Sequence, residues 1–168
     1  MKIAVTGAAG FIGRRIVARA REEGHEVVAV VRPTHDASRL DACGAAIARV
    51  DLGAAGASTA STPAPLDDAV RGVDAVIHAA ARVGWASEEV FRRDGPDATR
   101  EVVAACARAA VPRLVHVSSC AVYGDRAVER GAVREDAPYG YRMSPWDRYA
   151  RSKIEAERLQ LEHVAFDL

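Results

Sequence analysis

Apolar and polar positions alternate along this chain in blocks of two kinds, short β-branched runs and longer segments of helical period. Lys2 to Val5 is a short apolar run broken by Thr6-Gly7, and from Phe11 onward Ile12, Ile16, Val17 and Ala20 fall on one helical face. The pattern predicts strand, tight turn and helix. Glu26 to Val31, reading EVVAVV, is the kind of run buried on both faces of a parallel sheet, and Arg32-Pro33 ends it. Ser38 to Cys43 reads as a short helix and Ala46 to Val50 as a third strand. Gly53 to Pro65 contains no bulky apolar residue, can bury little, and is expected to be a mobile surface loop. Ala75 to Ala81 and Arg113 to Ser118 predict a fourth and a fifth strand. Between them Ser87 to Ala110 is mostly helical in pattern, with Val102, Val103, Cys106 and Ala110 spaced for one buried face, and Pro96 is expected to kink or break it. Asp147 to His163 is strongly helical, with Ile154, Leu159 and Leu161 among charges. Strands alternating with helices predict an α/β fold, a doubly wound parallel sheet with helices on both faces and ligand at the carboxyl ends of the strands.

The first turn carries the chemistry of an anion site. Gly7, Gly10 and Gly13 stand where a Cβ would do harm: in the sharp turn, in the approach to a pyrophosphate, and where helix packs on strand. The N–H groups and dipole of the new helix face that point. Such a turn predicts a Rossmann-type dinucleotide site. At the end of the second strand, an acid ordinarily takes the adenosine ribose and an Arg accommodates a 2′-phosphate; Val31 and Arg32 stand here, with no acid until Asp36. That favours NADP(H) over NAD(H).

The spacing GxxGxxG within TGAAGFIG resembles the signature of the extended short-chain dehydrogenase/reductase family, the NAD-dependent epimerase/dehydratase group. The resemblance covers essentially the whole chain. It implies cofactor contacts at Gly7, Gly10, Phe11, Ile12 and Gly13, at Asp51-Leu52 near the adenine, and at Ala79, Ala80 and Ala81 in the HxAA tail of DAVIHAAA. His78 in that tail is read as a strand residue, not as a catalyst. VSSCAVYG resembles the family's VSSxxVYG and puts the catalytic hydroxyl on Ser119; Tyr149 and Lys153 match its YxxxK. Aligning the family's NxxGT on Thr99 puts Gly95 at the Asn position and Ala98 at the Gly position, a departure from the pattern.

Tyr149 and Lys153 at i and i+4 lie on one helix face, about 6 Å apart along the axis. A phenol ordinarily titrates near pH 10, and an ammonium at that distance supplies roughly 3 kcal/mol toward phenolate at an effective dielectric near 20. By the resemblance, Tyr149 is acid and base, Ser119 hydrogen-bonds the substrate oxygen, and Lys153 also holds the nicotinamide ribose. The implied function is hydride transfer to or from a carbonyl or alcohol, as in the 3β-hydroxysteroid dehydrogenases and dihydroflavonol reductases. A nucleotide-sugar epimerase or dehydratase and a non-catalytic NADP(H)-binding sensor remain alternatives.

Composition narrows the partners. With 168 residues, 49% of them hydrophobic, the chain is long enough for one domain with a real core. Lys plus Arg equals Asp plus Glu at 23 each, so no global field favours nucleic acid or an anionic membrane. Cys43, Cys106 and Cys120 are odd in number and lack metal-ligand spacing, which points to a reducing compartment and to no metal site. With no signal peptide or membrane-spanning run, a cytoplasmic protein acting on a small molecule is expected. In the family, further strands and a substrate lobe follow the YxxxK helix. The expectation is therefore a cofactor-binding part truncated before that lobe, with Val164 to Leu168 at most beginning a sixth strand and a homodimer possible through the last helix.

Overall fold

Five parallel strands, β1 (Lys2–Thr6), β2 (Glu26–Val31), β3 (Ala46–Arg49), β4 (Ala75–His78) and β5 (Leu114–His116), form one sheet in the order β3-β2-β1-β4-β5. The computed structural model describes residues 1–53, 65–124 and 133–164. The loop expected over Gly53 to Pro65 therefore lies, apart from its two ends, outside the described residues, as does the end of the chain at 165–168. The register sets Ile47, Ala29, Val5, Ile77 and Val115 in one row across the sheet. The order reverses between β1 and β4, which opens a crevice at their carboxyl ends, where open α/β sheets bind ligands.

Period-two alternation sorts the strand residues onto two faces. Ala4, Val30 and Val76 join Leu66 and Val70 of α3 (Pro65–Val70) and Val102, Ala105 and Cys106 of α5 (Ala98–Arg108) in one core. Ile3, Val5, Val27 and Ala29 pack against Val17 and Ala20 of α1 (Phe11–Glu22) and Leu40 of α2 (Ser38–Ala42) on the other. Helices thus cover both faces, as a doubly wound sheet requires.

Several sequence expectations shift by a turn or less. Ile12 is 52% exposed, because the inward position on the first turn of α1 is taken by buried Gly13. Ala110 lies past the end of α5 with φ 49°, and Ala105 completes the buried face in its place. On α6 (Arg148–Val164), Ala150, Lys153, Ile154 and Ala156 are buried while Leu161 is 55% exposed. Val164 closes that helix and starts no strand. Strands β3 and β4 end at Arg49 and His78, so Val50 and Ala79 to Ala81 belong to the crevice loops.

Pro96 does not break its helix. After α4 (Glu88–Arg92), capped by Ser87 Oγ accepting from Val90 N, the chain makes one π-helical turn over Arg93–Asp97 and runs on into α5. Proline cannot donate to a carbonyl four residues back, and a wider turn absorbs the lost bond. Helix α6 packs on α4, on this turn and on α5.

Candidate cofactor and catalytic site

The three glycines of the first turn meet different demands. Gly7 has φ 66°, and a Cβ there would lie 2.7 Å from the backbone N and Cα of Ala80. A Cβ on Gly13 would lie 2.1 Å from the Gly7 carbonyl oxygen, so helix and turn touch with no room for a side chain. Gly10 is the N-cap of α1 with φ −74°, which any residue adopts, and among the described residues a Cβ there would come close only to that same oxygen, at 3.1 Å. Among the described residues no side chain caps α1, and no acid occupies its first turn. Its leading N–H groups therefore keep their capacity for an outside anion.

Beside this turn lies a cleft of about 250 Å³. Of the residues expected to hold a cofactor, Gly7, Gly10, Arg32, Leu52, Ala79, Ala80 and Ala81 line it. Phe11 and Ile12 sit outside it, exposed on the first turn of α1, and Gly13 is spent on packing. Asp51 is half-buried with Oδ1 unpartnered among the described residues. His35, Arg82, Val83 and Asp94 line the cleft without having been foreseen. Asp94 comes from the π turn and is 3% exposed, and its pairing with Arg32 crosses the cleft. Arg32 is thus not the solvated loop cation that its position alone would allow.

The expected catalytic residues gather where β5 ends. Lys153 is 6% exposed and its ammonium donates to the Val117 carbonyl at 2.7 Å. Burial lowers its pKa, opposed by the Glu157 carboxylate. Tyr149 precedes it by one turn and is half-buried. Ser119 is extended, with φ −152° and ψ 144°, and caps the 3₁₀ turn Cys120–Tyr123, its Oγ accepting from Ala121 N at 3.2 Å. Among the described residues no hydrogen bond joins Ser119 to Tyr149. Apo geometry of this kind is ordinary for groups that meet only across a substrate.

Two clusters around these residues escaped the sequence. Glu157, one turn beyond Lys153, accepts from Ser118 Oγ and from Tyr139 Oη, the latter at 2.7 Å. That bond, with burial, pushes the Tyr139 phenol up to about 12. His78, 1% exposed, is held by Thr6 Oγ1 at Nδ1 (2.6 Å) and Thr99 Oγ1 at Nε2 (3.1 Å). Its ring stands 5.3 Å from that of His116. Burial holds His78 down at about 3 and His116 at about 4. Gly95, at the family's Asn position, faces α6: a Cβ there would lie 3.3 Å from Ser152 Cβ. A larger cleft of about 490 Å³ between α4 and α6 is lined by neither Tyr149 nor Lys153.

A parallel sheet in this order, with a glycine turn opening the first helix beside a crevice, defines a Rossmann-type dinucleotide-binding fold. The profile of the NAD dependent epimerase/dehydratase family matches residues 3–165, and the chain belongs to that family, of the extended short-chain dehydrogenase/reductase type. It is 34% identical over 161 residues to a 2-alkyl-3-oxoalkanoate reductase of Stenotrophomonas maltophilia, covering 94% of this chain and 45% of the relative. It is 31% identical over 166 residues to a UDP-glucose 4-epimerase of Azospirillum brasilense, covering 94% and 43%. Among solved structures, MoeE5 in complex with UDP-glucuronic acid and NAD superposes with a TM-score of 0.75 at 34% identity, over 98% of this chain and 50% of that one. The chain spans about half the length of the relatives it matches.

Proposed function

We propose that the protein is an NAD(P)-dependent oxidoreductase that moves hydride to or from a carbonyl or alcohol carbon of a small molecule. The carrying observation is the Lys153 bond to Val117, which brings the YxxxK helix against the end of β5, two residues before Ser119. Relatives that are reductases support the reaction class.

The cleft fits a dinucleotide on its own terms. Gly7 leaves the backbone of Ala80 in direct approach, no described side chain caps the N-terminus of α1, and Val30, Val31, Val50 and Leu52 give an apolar wall beside Arg32. Gly7 and Gly10 would take the pyrophosphate, Arg32 a 2′-phosphate, Asp51 and Leu52 the adenine, and Lys153 the nicotinamide ribose. NADP(H) is the favoured form, because Arg32 stands where an acid would favour NAD(H). When bound, the nicotinamide supplies or accepts the hydride. Tyr149 gives its hydroxyl proton to the substrate oxygen in reduction and takes it back in oxidation. Ser119 holds the same oxygen, and Lys153 stands one turn from Tyr149 on the same helix.

A nucleotide-sugar epimerase is the second reading, favoured by relatives such as that of Azospirillum brasilense. The test uses the full-length protein, offering NADPH with a panel of ketones and, separately, UDP-hexoses. Ketone-dependent oxidation of NADPH supports the reductase. Sugar interconversion without net oxidation selects the epimerase, and tight cofactor binding with no turnover selects a sensor.

A cytoplasmic location belongs to the same reading; no helix among the described residues is long and apolar enough to cross a membrane. So does a homodimer through α6, whose Arg151, Glu155, Arg158 and Leu161 are exposed. Sedimentation of wild type against Leu161→Glu tests it, and a monomeric wild type would dismiss it.

A further inference from the structure

The end of β2 lacks an acid, yet an acid reaches the same place from the other side of the cleft. Asp94 leaves the π turn with its side chain 1% exposed, and its Oδ2 lies 2.7 Å from Arg32 Nη2. The other oxygen, Oδ1, is held by Arg93 through Nε and Nη2, each at 2.9 Å. The contact with Arg32 is close enough for an ion pair but not aligned as a hydrogen bond, so Oδ2 has no donor among the described residues. A buried carboxylate oxygen without a donor is costly. Both Arg32 and Asp94 line the cleft that Gly7 and Gly10 open.

We propose that Asp94 is a specificity-determining residue for the cofactor: from the helix across the cleft it supplies the carboxylate that β2 lacks. The inference rests on the dinucleotide reading above. A ribose hydroxyl donating to Oδ2 would satisfy the idle acceptor. A 2′-phosphate drawn to Arg32 must instead share that cation with Asp94 and meet a carboxylate of its own sign. Like charges held this close oppose each other by more than thermal energy, even at the effective dielectric of a protein surface. Arg32 and Asp94 therefore act against one another. The preference for NADP(H) that Arg32 creates is held down by Asp94, and NAD(H) remains a usable ligand.

The experiment is calorimetric titration of NADPH and NADH, in the absence of substrate, into the full-length protein as wild type, Asp94→Asn, Arg32→Ala and the double variant. Asp94→Asn keeps the shape of the side chain and removes its charge. It should raise the NADPH-to-NADH affinity ratio roughly tenfold. Arg32→Ala should bring the ratio below one and tighten NADH binding itself, because the carboxylate is released from its cation. A ratio that is unchanged or falls in Asp94→Asn, in protein that still melts cooperatively, overturns the inference while the dinucleotide reading stands. Should Asp94→Asn fail to fold, Arg32→Ala decides alone, and NADH binding no tighter than in wild type overturns the inference. A wild type that binds neither cofactor removes the functional reading and this inference together.

Discussion

The ammonium of Lys153 donates to the carbonyl of Val117 at 2.7 Å, tying the helix that carries Tyr149 to the strand end that leads into Ser119. One side chain thus holds the three expected catalytic groups at one end of the sheet. Lys153→Met removes the charge and the bond but fills the same buried space. Turnover should fall by at least about a hundredfold, the ordinary scale for a group that assists proton transfer. Stability should change by only about 1 kcal/mol, because losing the hydrogen bond is offset by no longer burying an ammonium. Turnover assays beside urea unfolding check both halves. A large loss of stability would make Lys153 chiefly a structural tie.

Tyr149→Phe removes one hydroxyl that has no hydrogen-bond partner among the described residues. The melting temperature should stay within about 2 °C of wild type, since surface changes without partners cost little. Cofactor affinity should hold, and turnover should drop by about 10² to 10⁴. Retained turnover would reject Tyr149 as the acid and base.

Gly10 and Gly13 stand three residues apart in one motif, yet their substitutions should fail in different ways. At Gly10 the backbone suits any residue and, among the described residues, a Cβ meets only the Gly7 oxygen at 3.1 Å, so Gly10→Val should fold and lose cofactor. At Gly13 a Cβ would stand 2.1 Å from the same backbone oxygen, which cannot move without shifting the turn. Gly13→Ala should therefore lose about 2–3 kcal/mol or more of stability, as overpacked sites do. Thermal melts with cofactor titrations separate the two. A well-folded Gly13→Ala variant that binds normally would show that the turn relaxes more easily than its geometry implies.

What the sequence disclosed follows from how local each constraint is. The glycine turn, the β-branched strands and the YxxxK pair are set by neighbours within a few residues, and the strand-and-helix order read from them is the order observed, except that α3 (Pro65–Val70) was not foreseen. Periodicity told less well which residue of a face points inward at a helix end, so Ile12 and Ala110 were placed on a packed face and stand outside. Pro96 was expected to kink or break its helix because a π turn leaves no mark in apolar spacing. Asp94 was missed because its partner, Arg32, is far away in sequence. An acid just before the Gly95-Pro96 step, at a point where the helix passes the crevice, was the signal available. The Glu157 bonds to Ser118 and Tyr139 likewise join segments that the sequence cannot bring together.

The last prediction concerns acid. Thr99 Oγ1 donates to the Gly95 carbonyl at 2.9 Å, so its proton is committed and it can only accept from His78 Nε2. Nδ1 of the same ring must then accept from Thr6, which fixes His78 as neutral with its proton on Nε2. Protonating Nδ1 would set a donor against the Thr6 hydroxyl proton and bury a charge 5.3 Å, centroid to centroid, from His116, with the Lys153 ammonium also disfavouring it. The folded pKa of about 3 lies below the ordinary imidazole value of 6.5, so between those values the unfolded chain binds more protons. Stability from this residue is therefore complete above about 6.5 and is lost as the pH falls toward about 3. Between pH 6.5 and 4.5 that amounts to about 2–3 kcal/mol for His78. His116, held at about 4 by burial and by Lys153, adds a loss of the same sign. His78→Gln keeps a donor toward Thr99 but cannot be protonated. It should be less stable than wild type at pH 7 and lose less on acidification. Urea midpoints of the two proteins at pH 7 and pH 4.5 measure the difference, and equal losses would mean that His78 does not titrate in this range and that other groups govern the acid limb.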